Sequence, residues 1–156
     1  MSKSLKRVRA ALADAGLEDR IIETGAAART AQAAADLAGC HVDQIAKSVI
    51  FRGKTSGTAI LFLTAGGNRV SDTAASKVAG EALGKADAAL IRAQTGFAIG
   101  GVSPIGHLNP IRAYIDPRLS IFDEIWAAAG TPHHIFPIAP DILIQLTGAT
   151  EADFTE

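Results

Sequence analysis

Two stretches of the chain carry residue types that could do chemistry. The first is Lys47, a cation set inside the β-branched run Gln44–Arg52. The second is Thr95–His107, where four glycines and a proline lie among apolar residues. Gly100-Gly101 lets the backbone take positive φ and come close to a ligand, and Pro104 fixes φ at the exit. Successive free N–H groups in such a turn form a concave anion site, suited to a phosphate or a developing oxyanion. A tight turn packed under a helix would use the same glycines. Ser103 precedes the proline, so its hydroxyl is expected to make a hydrogen bond and not to act as a nucleophile. His107 is the best-placed imidazole, either as a clamp on the loop or as a contact to a ligand.

Other chemistries find little support. The histidines are His41, His107, His133 and His134, with Cys40 the single cysteine. None of them is spaced as metal ligands on a helix, so neither metal nor cofactor is expected. His133 and His134 are adjacent in a strand-like run and make a poor chelate. Gly53-Lys54-Thr55 resembles the end of a phosphate-binding loop. The earlier glycine that motif needs is replaced by Ser48, however, and a strand follows where a helix should, which excludes a nucleotide triphosphatase. Cys40 has no accompanying motif and is read as a small buried hydrophobe.

These residues need elements to hold them. Lys47, Val49 and Phe51 alternate with Ala46, Ser48 and Ile50, so one strand presents two largely apolar faces. Lys47 therefore either snorkels out from the strand or points into a site. Gly53–Gly57 joins it as a hairpin to a second strand, Thr58–Thr64. Before it, Leu5, Val8, Leu12 and Ala15 share one face of a helix ended by Gly16, with Lys3, Lys6, Arg7 and Arg9 on its other side. Those charges suit a solvated face or an auxiliary contact to a nucleic-acid backbone. A short strand, Arg20–Thr24, precedes a helix capped by Thr30 and stopped at Gly39, with Ala34, Leu37 and Ala38 inward. After the hairpin, Ser71 caps a helix through Ala75, Val78, Ala79 and Ala82 to Gly84. Ala88–Ile91 reads as a strand and a brief helical turn leads into the glycine loop. Strands follow at Ile111–Ile115, Glu124–Ala128 and His134–Ile138, and Pro140 opens a final helix ended by Gly148. The fold class is α/β (α+β-like): a mixed, curved sheet with helices packed against it, in one domain over residues 1–156.

Composition limits the partners. The 156 residues are 48% hydrophobic and 20% charged, enough for a substantial core, and the net charge is −1. That balance argues against bulk coating of nucleic acid. A lone cysteine fits a reducing, cytoplasmic setting. The apolar run Ala59–Leu63 is far too short to cross a bilayer, and no membrane partner is expected.

Ala46-Lys47-Ser48 before an apolar strand, then Thr95-Gly96-Phe97 and Gly100-Gly101-Val102-Ser103-Pro104-Ile105-Gly106, together resemble the YbaK/ProX family. These are free-standing aminoacyl-tRNA deacylases, similar to the editing domain inserted in bacterial prolyl-tRNA synthetases. The likeness runs from the first helix through Ile125-Trp126-Ala127-Ala128-Ala129-Gly130 to the last helix. It implies a YbaK-like fold and hydrolysis of a mischarged aminoacyl ester. The amino acid would be small (cysteine, alanine, serine or threonine) and the carrier tRNA-Pro. Lys47 is then the functional side chain, and Gly100–Pro104 the matching Gly-x-x-x-Pro loop. The catalytic set expected is Lys47, Gly100 and Gly101, with Val102, Ser103, Pro104, Gly106 and His107 binding substrate. The partners implied are the aminoacylated tRNA acceptor end and, as a candidate, prolyl-tRNA synthetase. At an ordinary pKa of ~10.4 Lys47 would be a poor base, so it is expected to act as a cation. Two other readings remain open at this point: a module that binds an aminoacyl or nucleotide end without turnover, and a hydrolase of another small ester or amide.

Overall fold

The computed structural model describes residues 2–25 and 30–156. Helix α1 (Lys3–Asp14) starts at Ser2, whose hydroxyl accepts from the Leu5 amide at 2.9 Å. Its apolar positions three and four apart bury Leu5, Val8 and Leu12. The strand read over Arg20–Thr24 is reduced to β1 (Ile22–Glu23). Thr30 caps α2 (Ala31–Ala38), which Gly39 ends in the left-handed region. Its buried residues are Ala34 and Ala35. Leu37, expected inward, is 49% exposed. The helix turns its alanines to the sheet, so its backbone lies close and the larger side chain falls outside the contact.

Strands β2 (Ile45–Gly53) and β3 (Ala59–Ala65) form the expected antiparallel hairpin, with Lys47 opposite Thr64 and Phe51 opposite Ile60. All seven residues of β3 are buried, because it is central and covered on both faces. The next helix departs from the sequence expectation. Helix α3 (Asp72–Ala79) stops at Gly80 and does not reach Gly84. Gly80 closes it with φ +75°, its N–H bonding the Ser76 and Lys77 carbonyls. Gly84 instead pairs with Arg52 in β4 (Leu83–Lys85). Of two glycines able to stop the helix, the first wins and frees the second for the sheet.

Ala88–Ile91 is a helix and not a strand. Asp87 caps α4 (Ala88–Thr95), taking the Leu90 amide at 2.7 Å. A short apolar run cannot separate helix from strand by periodicity. A capping aspartate and two alanines settle it. Gly96, with φ +83°, turns the chain directly from α4 into the glycine loop.

Strands β5 (Arg112–Ile115), β6 (Ile125–Ala128) and β7 (His134–Ile138), helix α5 (Pro140–Thr147) and a short β8 (Thr150–Glu151) complete the chain. The sheet order is β1-β7-β6-β2-β3-β5-β8, with β4 also on β2. It is mixed: β2 lies parallel to β6 and antiparallel to β3, and β3 lies parallel to β5. On the face of Ala46 and Ile50 the main core joins α1, Leu61, Leu63, Phe97, Val102 and Ile105. On the other face Val49 and Phe51 pack with Phe62, Phe154 and α3, while Ile45 meets α2 and Trp126. Fully burying each large side chain, Phe97 or Phe62 for example, contributes about 1.5–3 kcal/mol.

Candidate active site

The site lies where the sheet is open. Strand β2 pairs with β6 only through Ile45 and Ala46, and with β4 only from Phe51 to Gly53. Residues 47–50 therefore have no strand partner on that edge among the described residues. Gly53 donates its N–H across the hairpin to Thr58. In an antiparallel strand these directions alternate, so the main-chain groups of Ser48 and Ile50 point to the open edge. A pocket of about 200 Å³ occupies the gap. Lys47 and Ser48 from β2, Gly100 and Val102 from the loop, Thr30 and Ala31 at the start of α2, Thr131 from the β6–β7 turn and His134 from β7 all line it.

Lys47 belongs to the strand face of Ile45 and Val49. Its stem lines the pocket, and its ammonium donates to the Asn68 carbonyl at 2.5 Å. Burial lowers its pKa from the ordinary value, and nearby Arg69 lowers it further, against the opposing pull of Asp116 and Asp43. The turn that offers this carbonyl is itself anchored. Asp116, buried in the protein, accepts from the Asn68 side chain at 2.9 Å and from the Ala65 amide at 3.1 Å. Asp43 accepts from the Gly67 amide at 2.8 Å and from Arg118 at 3.0 Å. Burial works against the Asp43 carboxylate, yet Arg118 and the Gly67 N–H hold its pKa below the usual range.

In the loop, Gly100 has φ +90°, a conformation that side-chain-bearing residues rarely adopt. Gly101 serves a different purpose. Its N–H already bonds the Ala98 carbonyl at 3.1 Å, and a Cβ there would stand 2.8 Å from the Thr131 backbone. Its contribution is close approach, and the amides of Gly100 and Val102, two residues that line the pocket, have no partner among the described residues. Phe97, Val102 and Ile105 plug the loop into the core.

The remaining residues expected to bind substrate separate from Lys47. Ser103 is fully buried, and its hydroxyl accepts from the Ile105 amide at 3.3 Å, the hydrogen bond expected of it. Pro104, Gly106 and His107 line another hollow, of about 600 Å³, between α1 and the end of α5. His107 Nε2 donates to the Ser103 carbonyl at 2.5 Å, and its ring meets Phe97 edge-on. Burial lowers the His107 pKa, the Ser103 bond opposes that, and Arg7 adds to the lowering. Arg7 lies over the Phe97 ring and donates to the Gly106 carbonyl at 3.1 Å. His107 and Arg7 thus clamp the loop from the side away from Lys47.

Sequence reasoning passed over Ser48, Thr131 and His134. Strand alternation set Ser48 on the face opposite Lys47, and only the open edge brings both to one pocket. His134 reaches it through a 2.7 Å bond to Thr131, a contact between turn and strand with no spacing signature. Cys40 is half-buried, and burial raises its pKa. Among the described residues no group of three His, Cys, Asp or Glu side chains is placed to hold a metal, and no helix is long and apolar enough to cross a membrane.

A family model for the aminoacyl-tRNA editing domain matches residues 26–146. The chain belongs to the aminoacyl-tRNA editing domain family. A solved structure proposed to be a trans-editing enzyme for prolyl-tRNA synthetase is 43% identical to this editing domain. It superposes with a TM-score of 0.92 over 100% of this chain and 99% of its own. The structure of a hypothetical protein, 25% identical, gives a TM-score of 0.85 over 96% of this chain and 99% of its own. The uncharacterised protein YwhH of Bacillus subtilis (strain 168) is 28% identical over 144 residues, which is 92% of this chain and 91% of YwhH. The mixed α/β architecture is therefore that of the structure proposed to be a trans-editing enzyme.

Proposed function

We propose that this editing domain is a free-standing deacylase that hydrolyses the ester of a mischarged tRNA carrying a small amino acid on tRNA-Pro. One observation carries the reading. Lys47, Gly100 and Val102 line one pocket of about 200 Å³, smaller than the roughly 300–1,000 Å³ of sites that enclose drug-sized ligands. It admits a small acyl group, with the nucleotide left outside. A net charge of −1 accords with capture of the acceptor end alone.

In this mechanism the amides of Gly100 and Val102 receive the ester carbonyl oxygen as negative charge develops on it. The Lys47 ammonium moves from the Asn68 carbonyl to the terminal phosphate or the ester oxygen. Water adds to the carbonyl carbon, the C–O bond to the ribose breaks, and the ribose oxygen takes up a proton. A neighbouring ribose hydroxyl supplies the activation of water that Ser103 cannot, since its hydroxyl is committed to Ile105. In a cysteinyl ester the substrate thiol instead attacks its own carbonyl carbon. The same C–O bond to the ribose breaks, with the thiol proton passing to the ribose oxygen. The carrier and the synthetase partner accord with the proposed role of the 43% identical structure, and a cytoplasmic reaction is part of the same proposal.

Single-turnover hydrolysis of tRNA-Pro charged with cysteine, alanine, serine or threonine tests this. The expected result is release of the amino acid by the parent. Lys47→Ala should be slower by about 10²–10³, the usual cost of one lost electrostatic contact to the transition state. A protected ester would instead mean a binding module. Equal activity on esters lacking tRNA would mean a general small-ester hydrolase. Full activity of Lys47→Ala would remove the lysine from the site.

A further inference from the structure

The pocket wall holds a polar side chain that the proposed reaction leaves unused. Ser48 Oγ is shielded from water and has no hydrogen-bond partner among the described residues. On its own face of the strand the lining is Ala46, Val102 and Ala127, while Thr24, Thr30, Thr131 and His134 line other parts of the pocket. A hydroxyl withdrawn from water without a partner is unfavourable, and an alanine at this point of the wall would avoid the cost. The main chain of the same residue adds to the pattern. The register of β2 aims the Ser48 N–H and carbonyl at the open edge, where neither β6 nor β4 reaches.

These groups suit different parts of an aminoacyl ester. The edge carbonyl is an acceptor fit for an α-ammonium. The hydroxyl both donates and accepts, which matches a second hydroxyl. A thiol is a weak donor and a weak acceptor, and a methyl group is neither. The serine side chain has one χ1 rotor with staggered wells, so its Oγ can turn to a ligand while the strand stays in place.

Resting on the deacylase reading, we propose that Ser48 is the specificity-determining residue of this site. Its hydroxyl selects an ester whose side chain carries a hydroxyl, as in serine or threonine, over one of similar size without it. Binding such a group completes the hydrogen bond that Ser48 lacks. Discrimination of this kind arises because an ester lacking the hydroxyl leaves the Ser48 hydroxyl unpaired.

The test compares kcat/KM of the full chain, Ser48→Ala and Ser48→Thr on seryl-, threonyl-, alanyl- and cysteinyl-tRNA-Pro. The parent should prefer the hydroxyl-bearing esters. In Ser48→Ala the ratio of serine to alanine kcat/KM should fall by about 10- to 100-fold, while Ser48→Thr, which keeps the hydroxyl, retains most of the preference. A merely structural hydroxyl would show as a lower Tm. Ser48→Ala should keep or raise the Tm, since no internal hydrogen bond is lost. A serine-to-alanine ratio unchanged in Ser48→Ala, or all esters slowed equally, overturns the proposal while deacylation stands. Failure of the parent to hydrolyse any of the four esters overturns the deacylase reading, and the proposal with it.

Discussion

Alanine at position 101 would set a Cβ 2.8 Å from both the Cα and the carbonyl carbon of Thr131, and 3.1 Å from its nitrogen. Ordinary contacts of that kind lie at about 3.5–4.0 Å. The obstruction is backbone on both sides, so no side chain can swing away. Either the Gly100–Val102 segment or the Thr131 turn must retreat by well over half an ångström. Overpacking of this sort costs about 1–3 kcal/mol. For a chain of 156 residues, with roughly 2–4 °C of Tm per kcal/mol, a 2 kcal/mol loss lowers Tm by about 4–8 °C. The retreat also moves the two loop amides relative to Lys47. Misplacement on the order of 1 Å can cost about 10²-fold in rate. Thermal unfolding and single-turnover deacylation of Gly101→Ala, run side by side, check both expectations. Parental Tm together with parental rate would refute the idea that close approach to Thr131 positions this loop.

Asp116→Asn puts an amide NH2 where one of the carboxyl oxygens accepts from Ala65, Asn68 or Arg118. Leaving a donor facing a donor should cost about 1–3 kcal/mol. Deacylation should slow as well, because Asn68 no longer holds Lys47, and urea unfolding with parallel kinetics checks the pair. Glu81 is far from the pocket and concerns stability alone. The Ser56 amide, Arg112 and the Thr55 amide hold its pKa at about 2, below its ordinary 4.5. A depressed carboxylate contributes stability that is complete above its unfolded pKa. The protein should therefore lose stability as pH falls from about 4.5 to about 2. Glu81→Gln should be less stable at neutral pH and show a flatter acid limb. Identical acid limbs in urea unfolding would count against this clamp.

Local rules made much of the chain legible. Thr30 and Ser71 cap the helices where a hydroxyl before an apolar-periodic run predicts it, and Pro140 opens the last helix. Alternation in β2 assigned each residue its face, and Val49 and Phe51 do pack apart from Ala46 and Ile50. Local rules failed where two signals competed at close range. Gly80 stopped a helix before Gly84 could, and Asp87 turned a four-residue apolar run into α4.

For the candidate site the boundary is sharper. Residue types and spacing drew attention to Lys47 and the loop Thr95–His107, because a cation in an apolar strand and paired glycines are local anomalies, and the family resemblance narrowed these to Lys47, Gly100 and Gly101. The tertiary structure alone decided that Gly101 acts through close packing, that His107 faces a different hollow, and that Ser48 shares the pocket with Lys47. The last of these depends on where strands about eighty residues apart end their pairing. Such endings are set by long-range register and packing, which no local period in the sequence encodes.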